Sequence, residues 1–258
     1  MEFVARRSRE SLLAELRDPV EELLPPETAA RYEEAVARRA RGEPVAYITG
    51  VREFWGLSFL VGPGVLVPRP ETEVLVEETI RRIREFPEPV GYHDCCTGSG
   101  CVAITVLREC REAGVTIIPG FSDNEERAFA WAEKNAGRLT PETTWDSWIG
   151  DGLEILHRPV QVISANPPYL TEEETQDALA EGWGEPPSAL TAGVDGLEVY
   201  RAIVPQAWDK LDPDGYLIQE IGYDQGDAVA GICRSAGFKN TITVQDISGN
   251  DRVVTARK

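Results

Sequence analysis

The chain has 258 residues, and 26 lysines and arginines stand against 44 aspartates and glutamates, which gives a formal net charge of -18 at pH 7. That length suits one sizeable domain or a domain with a small appendage. Proteins that grip phosphate backbones need positive surface, so the acidic balance argues against direct binding of nucleic acid.

The N-terminal string MEFVARRSRESLLAELRDPVEELL is charged throughout and has no apolar core long enough for a signal peptide. No later segment is apolar enough to span a bilayer. The cysteines are odd in number and clustered, without the paired spacing of a zinc site or a secreted disulfide framework. We therefore expect a cytoplasmic monomer that has reduced cysteines, no metal and no membrane attachment. The cysteines are Cys95, Cys96, Cys101, Cys110 and Cys233.

The N-terminal quarter of the chain is predicted to form a small helical unit. Apolar residues recur at helical spacing over residues 8–40, and the prolines of LLPPE separate two predicted helices. The following string, VAYITGVREFWGLSFLVGPGVLVPRP, predicts a β-hairpin and a proline-stiffened linker. We place a domain boundary near Pro70, which divides the chain into residues 1–70 and 71–258.

Beyond this boundary, short apolar runs alternate with amphipathic helices, beginning with the helix ETEVLVEETIRRIREF. Such alternation predicts an α/β fold with a doubly wound sheet, which binds ligands beyond the carboxyl ends of its strands. The last two strands are separated only by DISGND, so they should form an antiparallel hairpin at one end of the sheet. The predicted strands are residues 90–94, 115–122, 144–149, 160–165, 216–221, 241–245 and 252–257.

The run YHDCCTGSGCVAI places Asp94 at a strand end, followed by a turn of small residues into a helix. Small residues let a backbone approach a ligand closely, although the same run also fits a plain βα turn. The run has neither the third glycine of a dinucleotide fingerprint nor the lysine of a phosphate-binding loop, so a cofactor without phosphates fits better. The turn residues are Thr97, Gly98, Ser99 and Gly100.

Two further acids follow the next two predicted strands. Asp123 can accept hydrogen bonds from ribose hydroxyls, or with Glu126 it can form a capping box that lacks its Ser or Thr. Asp151 can accept from an adenine amino group, or it is a turn residue. The glycine turn and both acids occur in the order that a nucleoside cofactor requires, which favours S-adenosylmethionine.

The string NPPY follows the fourth predicted strand, at the same edge of the sheet. By itself it also fits a stiff loop. A planar NH2 group is a poor nucleophile, and the Asn166 side-chain oxygen and the Pro167 carbonyl can each accept one of its N–H groups. Pro167 and Pro168 hold these acceptors in place, and Tyr169 offers a flat face. The corner favours an NH2 nitrogen that attacks a sulfonium methyl group, without a separate general base.

Rival chemistries have little support in the sequence. The only histidines, His93 and His157, do not stand where a hydrolase triad would need them. The clustered cysteines lack metal-ligand spacing, so we interpret them as packing residues. A methyltransferase acting on exocyclic amines of nucleic acid shares the NH2 chemistry but should carry a basic groove, and a binding module without turnover would not need the complete NPPY clamp.

Seven strings carry a resemblance to a known family: RRARGEPVAYITGVREFWGLSFLV, VLVPRPETEVLVE, DCCTGSGCVAI, NPPYL, EPPSALTAGVDGLEVYRAIV, GYLIQEIGYDQ and ISGNDRVVTARK. In this order they resemble the HemK-type glutamine methyltransferases, which modify class I peptide-chain release factors. The resemblance spans residues 38–258. The PRPETE string resembles the release-factor branch more than relatives that modify a ribosomal protein, which stays an alternative.

The resemblance implies a seven-stranded class I methyltransferase domain and an N-terminal helical domain that recognises the release factor. It implies methyl transfer from S-adenosylmethionine to the N5 amide of the glutamine in a Gly-Gly-Gln motif. Gly152 stands where members often have an aromatic residue, which leaves one adenine contact open. The expected cofactor residues are Cys96, Thr97, Gly98, Ser99, Gly100, Asp123, Asp151, Gly152 and Asn166. The expected catalytic residues are Asn166, Pro167, Pro168 and Tyr169.

Overall fold

The computed structural model describes residues 25–258. The first of the two predicted N-terminal helices lies outside the described residues. The second, α1 (Pro26–Ala40), begins at the prolines of LLPPE as predicted, because the fixed φ of proline suits the first turn of a helix.

The predicted hairpin is present, preceded by a short helix, α2 (Val45–Thr49), that the sequence reading missed. Strands β1 (Val51–Phe54) and β2 (Leu57–Leu60) pair antiparallel through a two-residue turn. Both turn residues, Trp55 and Gly56, have positive φ, as such tight turns require. The Trp55 indole Nε1 donates to Glu109 Oε1 at 2.8 Å, which attaches the hairpin tip to the helix over residues 101–112.

All seven strands predicted beyond the hairpin are confirmed, with ends that differ by a few residues. These seven strands and the helices beside them follow in chain order: α3 (Glu73–Ile83), β3 (Val90–Cys95), α4 (Cys101–Glu112), β4 (Ile117–Asp123), α5 (Glu126–Leu139), β5 (Asp146–Ile149), β6 (Val160–Ala165), α6 (Glu172–Ala180), α7 (Glu198–Lys210), β7 (Leu211–Glu220), α8 (Gly226–Ser235), β8 (Lys239–Gln245) and β9 (Asp251–Arg257). Within residues 25–258, no helix combines the length and apolar character needed to cross a lipid bilayer.

The seven strands form one sheet in the order β5-β4-β3-β6-β7-β9-β8. The pairs from β5 to β7 are parallel, and β9 runs antiparallel to both β7 and β8, which confirms the predicted C-terminal hairpin. After β3 the chain first builds the sheet outward through β4 and β5, then returns to place β6 on the other side of β3. Ligands bind at such a reversal point in open α/β sheets.

Apolar side chains fill both faces of the sheet. One cluster joins it to α3, α4 and α5 through residues such as Leu75, Ile104 and Phe129. A second cluster on the other face joins it to α7 and α8, with Tyr200 and Val229 fully buried. Burial on both faces explains why the central strands read as continuous apolar runs, and it fixes the strand ends that carry the polar residues.

Asn135 on α5 connects the hairpin to the turn that follows β3. Its Nδ2 donates to the Leu60 and Ser99 carbonyls, both at 2.9 Å, and its Oδ1 accepts from the Leu60 N–H at 2.8 Å. The side chain is fully buried. One amide therefore holds strand β2 and the glycine turn in a fixed relation.

Replacing this amide tests the connection. We expect Asn135→Ala to lower the free energy of unfolding by about 2–4 kcal/mol, because backbone groups of Leu60 and Ser99 lose their buried partners. Urea unfolding measures the change. Glu133→Ala, at an exposed position on the same helix, should change the unfolding free energy by less than about 0.5 kcal/mol. Equal effects of the two substitutions would contradict this role of Asn135.

Candidate active site

A cavity of about 420 Å³ lies at the carboxyl edge of the sheet, over the point where the chain reverses between β3 and β6. Its volume is in the range of small-molecule sites. Three expected site residues, Gly100, Pro167 and Tyr169, do not line it. The other expected residues do: Cys96, Thr97, Gly98, Ser99, Asp123, Asp151, Gly152, Asn166 and Pro168.

The glycine turn forms the floor of the cavity. The Thr97 N–H donates to the Ser122 carbonyl at 3.0 Å, which attaches the turn to β4. Gly100 has a positive φ of 78°, and a Cβ there would stand 3.0 Å from Ile104 Cδ1 and 3.3 Å from the Ala132 Cα. Gly100 therefore allows α4 and α5 to pack closely beneath the turn, and it contributes to the site through packing and not through the cavity lining.

Asp123 joins this turn to the end of β4. Its Oδ2 accepts from the Gly98 N–H at 2.8 Å, and its Oδ1 accepts from the Glu125 N–H at 2.9 Å. Helix α5 begins at Glu126 without a side-chain cap, so the capping box considered for Asp123 does not form. Burial raises the pKa of Asp123. Each oxygen keeps a further lone pair, with which the carboxylate could accept from ribose hydroxyls.

Asp94 is a second buried acid in the cavity lining, and the sequence analysis gave it no role. Its Oδ2 accepts from the Thr97 hydroxyl at 2.6 Å, and its Oδ1 accepts from the Ser164 hydroxyl. Burial raises the pKa of Asp94 to about 7. A cationic group in the cavity would favour the ionised form. The sequence signal for Asp94 as a site residue was its position at the end of β3, directly before the glycine turn.

Ser99 adds an unpartnered polar atom to this set. Its side chain is 2% exposed, and within the part of the chain that the structure describes its hydroxyl has no hydrogen-bond partner. Buried polar atoms are normally paired, so this hydroxyl is available to a ligand. Together with Asp94, Asp123 and the Gly98 backbone, it fits a ligand that carries a ribose and an amino-acid group, as S-adenosylmethionine does.

The loop after β5 supplies the opposite wall. Asp151 lines the cavity from an exposed position. Gly152 has a φ of +60°, and a Cβ there would stand 2.5 Å from Oε1 of Gln206. The same Oε1 accepts from the Leu153 N–H at 2.6 Å. Gln206 on α7 thus occupies the space that a side chain at position 152 would take, which accounts for the glycine in place of an aromatic residue.

The NPPY corner closes the cavity at the end of β6. Asn166 Nδ2 donates to the Thr72 hydroxyl at 3.3 Å, and among the described residues the Asn166 Oδ1 makes no hydrogen bond. Pro168 lines the cavity, and Pro167 is buried. Tyr169 packs against the cluster under α7 and α8, and burial raises the pKa of its phenol to about 12. The flat face expected of Tyr169 toward a substrate stays a prediction.

Two neighbouring loops hold this corner. The Leu170 N–H donates to the Leu190 carbonyl at 2.9 Å, and the Ala192 N–H donates to the Leu170 carbonyl at 2.7 Å. Gln225 Nε2 donates to the Tyr169 carbonyl at 2.9 Å and to the Gly196 carbonyl at 3.2 Å. These bonds fix the backbone at Tyr169 and Leu170, directly after Asn166 and Pro167.

Two polar residues near Asn166, Thr72 and Glu220, were missed by sequence reasoning. Thr72 lines the cavity, yet its PRPETE string was used only as a mark of family branch. Glu220 is 2% exposed and ends β7, the strand next to β6. An acid at the carboxyl end of a strand was the signal for Glu220, but only the strand order places it beside Asn166.

The histidine and cysteine residues give no support to nucleophilic catalysis. His93 is buried, its ring stacks on Trp148 with centroids 4.4 Å apart, and burial lowers its pKa to about 3. All five cysteines are free, and only Cys96 is partly exposed. Within residues 25–258, no group of three or more His, Cys, Asp or Glu side chains could hold a metal ion.

Comparison with known proteins gives matches over nearly the whole chain. A family model described as the PrmC N-terminal domain matches residues 1–50. A release factor glutamine methyltransferase of Cereibacter sphaeroides is 41% identical over 249 residues, 95% of this chain and 84% of that protein. One of Geobacter sulfurreducens is 40% identical over 241 residues, 91% of this chain and 80% of that protein. A methyltransferase structure from Pyrococcus furiosus, at 16% identity and a TM-score of 0.53, covers 87% of this chain and 98% of its own and supports the fold alone.

The position of Asp123 predicts a measurable effect on cofactor binding. We expect Asp123→Ala to weaken the binding of S-adenosylmethionine by about 1–3 kcal/mol, because a charge-assisted hydrogen bond to ribose is lost. Calorimetric titration measures the affinity, and thermal unfolding of the free protein reports separately on the lost contact with Gly98. Asp209→Ala, an exposed acid on α7, is the control of equal charge. Unchanged affinity in Asp123→Ala would show that the carboxylate only anchors the turn.

Proposed function

Because the chain belongs to the release factor glutamine methyltransferase family, we propose that it methylates a glutamine side chain of a release factor with S-adenosylmethionine as the methyl donor. It is a protein-(glutamine-N5) methyltransferase with a seven-stranded methyltransferase sheet. The observation that carries the proposal is that Asn166 and Pro168 of the NPPY corner line the same cavity as the glycine turn and its acids. This arrangement supports a site for the methyl donor next to a site for the substrate NH2 group.

The chain's own residues fit the methyl donor. Asp123 would accept from the ribose hydroxyls, Asp94 would face the ammonium group, and Asp151 would accept from the adenine amino group. The turn backbone at Gly98 and the Ser99 hydroxyl complete the contacts. When bound, S-adenosylmethionine supplies a methyl group made electrophilic by its attachment to a sulfonium.

The NPPY corner acts on the substrate amide. The lone pair of an amide nitrogen is delocalised into its carbonyl, so the nitrogen attacks only when its geometry and charge are controlled. Asn166 Oδ1 and the Pro167 carbonyl would each accept one N–H, which turns the lone pair toward the methyl group. Pro167 and Pro168 hold these acceptors without a conformational search. The N–H acidity rises as the new bond forms, so no earlier proton abstraction is needed.

The choice of substrate follows from the relatives and from the charge. The named relatives favour a release factor over a ribosomal protein. The net charge of -18 disfavours the nucleic-acid alternative. Within the release factor, we propose that the methylated residue is the glutamine of the Gly-Gly-Gln motif of class I factors. A backbone flanked by glycines can enter a narrow pocket in which side chains would clash.

We also propose that the two parts of the chain have different functions. Residues 1–70 would recognise the release factor, with support from the N-terminal family match over residues 1–50, and residues 71–258 would carry the chemistry. A release factor works on the ribosome, so the enzyme would act in the cytoplasm. We propose that it acts as a monomer.

The proposed role of Asn166 gives a kinetic prediction. Asn166→Ala should lower kcat by on the order of a hundredfold or more, because one acceptor for the substrate N–H is lost in the transition state. The affinity for S-adenosylmethionine should stay close to that of the wild type. Methyl transfer from labelled cofactor to purified release factor measures both constants. Asn250→Ala, in the exposed C-terminal hairpin loop, is the matched control, and near-normal turnover of Asn166→Ala would remove Asn166 from the mechanism.

The acidic surface predicts how the substrate is captured. Helix α6 follows NPPY and begins with exposed acids, Glu172, Glu173 and Glu174. We expect release factors to expose basic surface, so encounter should be steered electrostatically. Intact release factor should be methylated far more efficiently than a short Gly-Gly-Gln peptide. Added salt should lower kcat/KM for the factor and barely change it for the peptide.

The same assay tests the function itself. A release factor with its Gly-Gly-Gln glutamine changed to alanine should accept no label, and duplex and single-stranded DNA should accept none. Label in DNA or in the altered factor would contradict the proposed substrate. Equal efficiency for peptide and factor at every salt concentration would contradict the proposed capture.

A further inference from the structure

Glu220 is a buried acid that has no part in the proposed methyl transfer. It is the last residue of β7, and Ala165 of β6 pairs with Gln219 of β7 in parallel register. Asn166, the residue directly after β6, and Glu220, the last residue of β7, therefore follow this pair at the same level. Residues at one level of a parallel pair lie side by side, which places the carboxyl group next to the amide.

The Glu220 carboxyl group is held but incompletely paired. Its side chain is 2% exposed, and within residues 25–258 its Oε2 has no hydrogen-bond partner. The backbone is fixed, since the hydroxyl of buried Tyr200 donates to the Glu220 carbonyl at 2.9 Å. Natural proteins rarely leave such an acceptor unpaired, which points to a function for this carboxyl group.

Thr72 and Asn166 are the polar side chains that face this carboxyl group. Burial raises the pKa of Glu220 to about 7, while hydrogen bonding from Thr72 and Asn166 lowers it. The positive charge of Arg252 lowers the pKa and the charge of Glu71 raises it. Asn166 Nδ2 in turn lies 3.3 Å from the Thr72 hydroxyl oxygen. Thr72, Asn166 and Glu220 thus form one polar cluster, which we call the amide-holding cluster.

We propose that Glu220 is a positioning residue that, together with Thr72, holds the Asn166 amide with its oxygen toward the substrate. The inference rests on the proposed role of Asn166 as acceptor for the substrate NH2 group. A side-chain amide has two N–H donors and one carbonyl acceptor. If its NH2 end faces the Thr72 hydroxyl and the Glu220 carboxylate, only Oδ1 remains for the substrate.

The opposite amide orientation explains why an acid stands at this position. While Glu220 is ionised, a flipped Asn166 would bring its carbonyl oxygen against the carboxylate oxygens, two acceptors without a proton between them. It would also present N–H donors to a substrate NH2 group that needs acceptors. A buried carboxylate excludes this orientation more strongly than a neutral group does, because electrostatic interactions are stronger away from water. Glu220 acts through Asn166 and needs no contact with the substrate.

Substituting glutamine at position 220 removes this selection while keeping the shape, because a glutamine amide can donate as well as accept. We expect Glu220→Gln to lower kcat for release-factor methylation by about tenfold or more, as small losses of positioning do. The KM for release factor and the Kd for S-adenosylmethionine should stay within about twofold of wild type, since neither ligand touches Glu220. Glu78→Gln, at another buried acid that lies outside the cavity lining, controls for loss of a buried carboxylate and should leave kcat unchanged.

Thr72 provides an independent pair of variants. Thr72→Ser keeps the hydroxyl and should keep kcat within about threefold, whereas Thr72→Val keeps the shape and should lower kcat about as much as Glu220→Gln. If Glu220→Gln fails to fold, as judged by its unfolding midpoint, the comparison of Thr72→Ser with Thr72→Val tests the cluster instead. Equal kcat values for the Ser and Val variants would overturn the proposed cluster.

Combining substitutions shows whether Glu220 acts through Asn166. In the Asn166→Ala background, Glu220→Gln should cause no further loss of kcat, because the amide that it positions is absent. A further loss of about tenfold in that background would overturn the inference, as would wild-type kcat in Glu220→Gln alone. Failure of the wild-type enzyme to methylate release factor would instead contradict the proposed function, so the two failures are distinguishable.

Discussion

The parallel pairing of β6 with β3 on one side and with β7 on the other is the constraint on which the site depends. Asp94 pairs with Ser164, and Gln219 pairs with Ala165, so the ends of the three strands lie at one edge. The glycine turn and the NPPY corner leave the sheet at these ends, and the acid of β7, Glu220, stands there as well. Hydrogen bonding between the strands sets the relative positions of these ends before any ligand binds.

The electrostatics of this edge suit a cationic methyl donor. Asp94, Asp123 and Glu220 are all buried there, and burial raises the pKa of each. Perturbed acids gather at functional sites because function keeps them where folding alone would not. Asp94 and Asp123 line the cavity, where the sulfonium and ammonium groups of a bound methyl donor would favour their ionised forms, while Glu220 lies next to Asn166. The same edge of the sheet thus carries residues suited to the methyl donor and residues suited to the substrate amide.

The strands, the glycine turn, Asp123 and the NPPY corner could be predicted because each depends on local sequence: apolar runs, small residues and the polar residues that follow strands. Contacts between segments that are distant in the chain could not be predicted. Thr72 reaches Asn166 from 94 residues earlier in the chain, and Gln206 fills the space beside Gly152 from another helix. The short helix α2 was missed because a tertiary contact, from the Tyr47 hydroxyl to the Val65 carbonyl, holds it within a segment rich in strand-forming residues.

The central claim is that the NPPY corner offers two preformed acceptors to the substrate NH2 group. It is tested most directly by a crystal structure of the enzyme with S-adenosylhomocysteine and a release factor. The glutamine Nε2 is expected to lie about 2.7–3.2 Å from both Asn166 Oδ1 and the Pro167 carbonyl oxygen, with the Asn166 amide still beside the Thr72 hydroxyl. A glutamine Nε2 held by other groups, or an Asn166 amide turned away from Thr72, would contradict the two-acceptor arrangement.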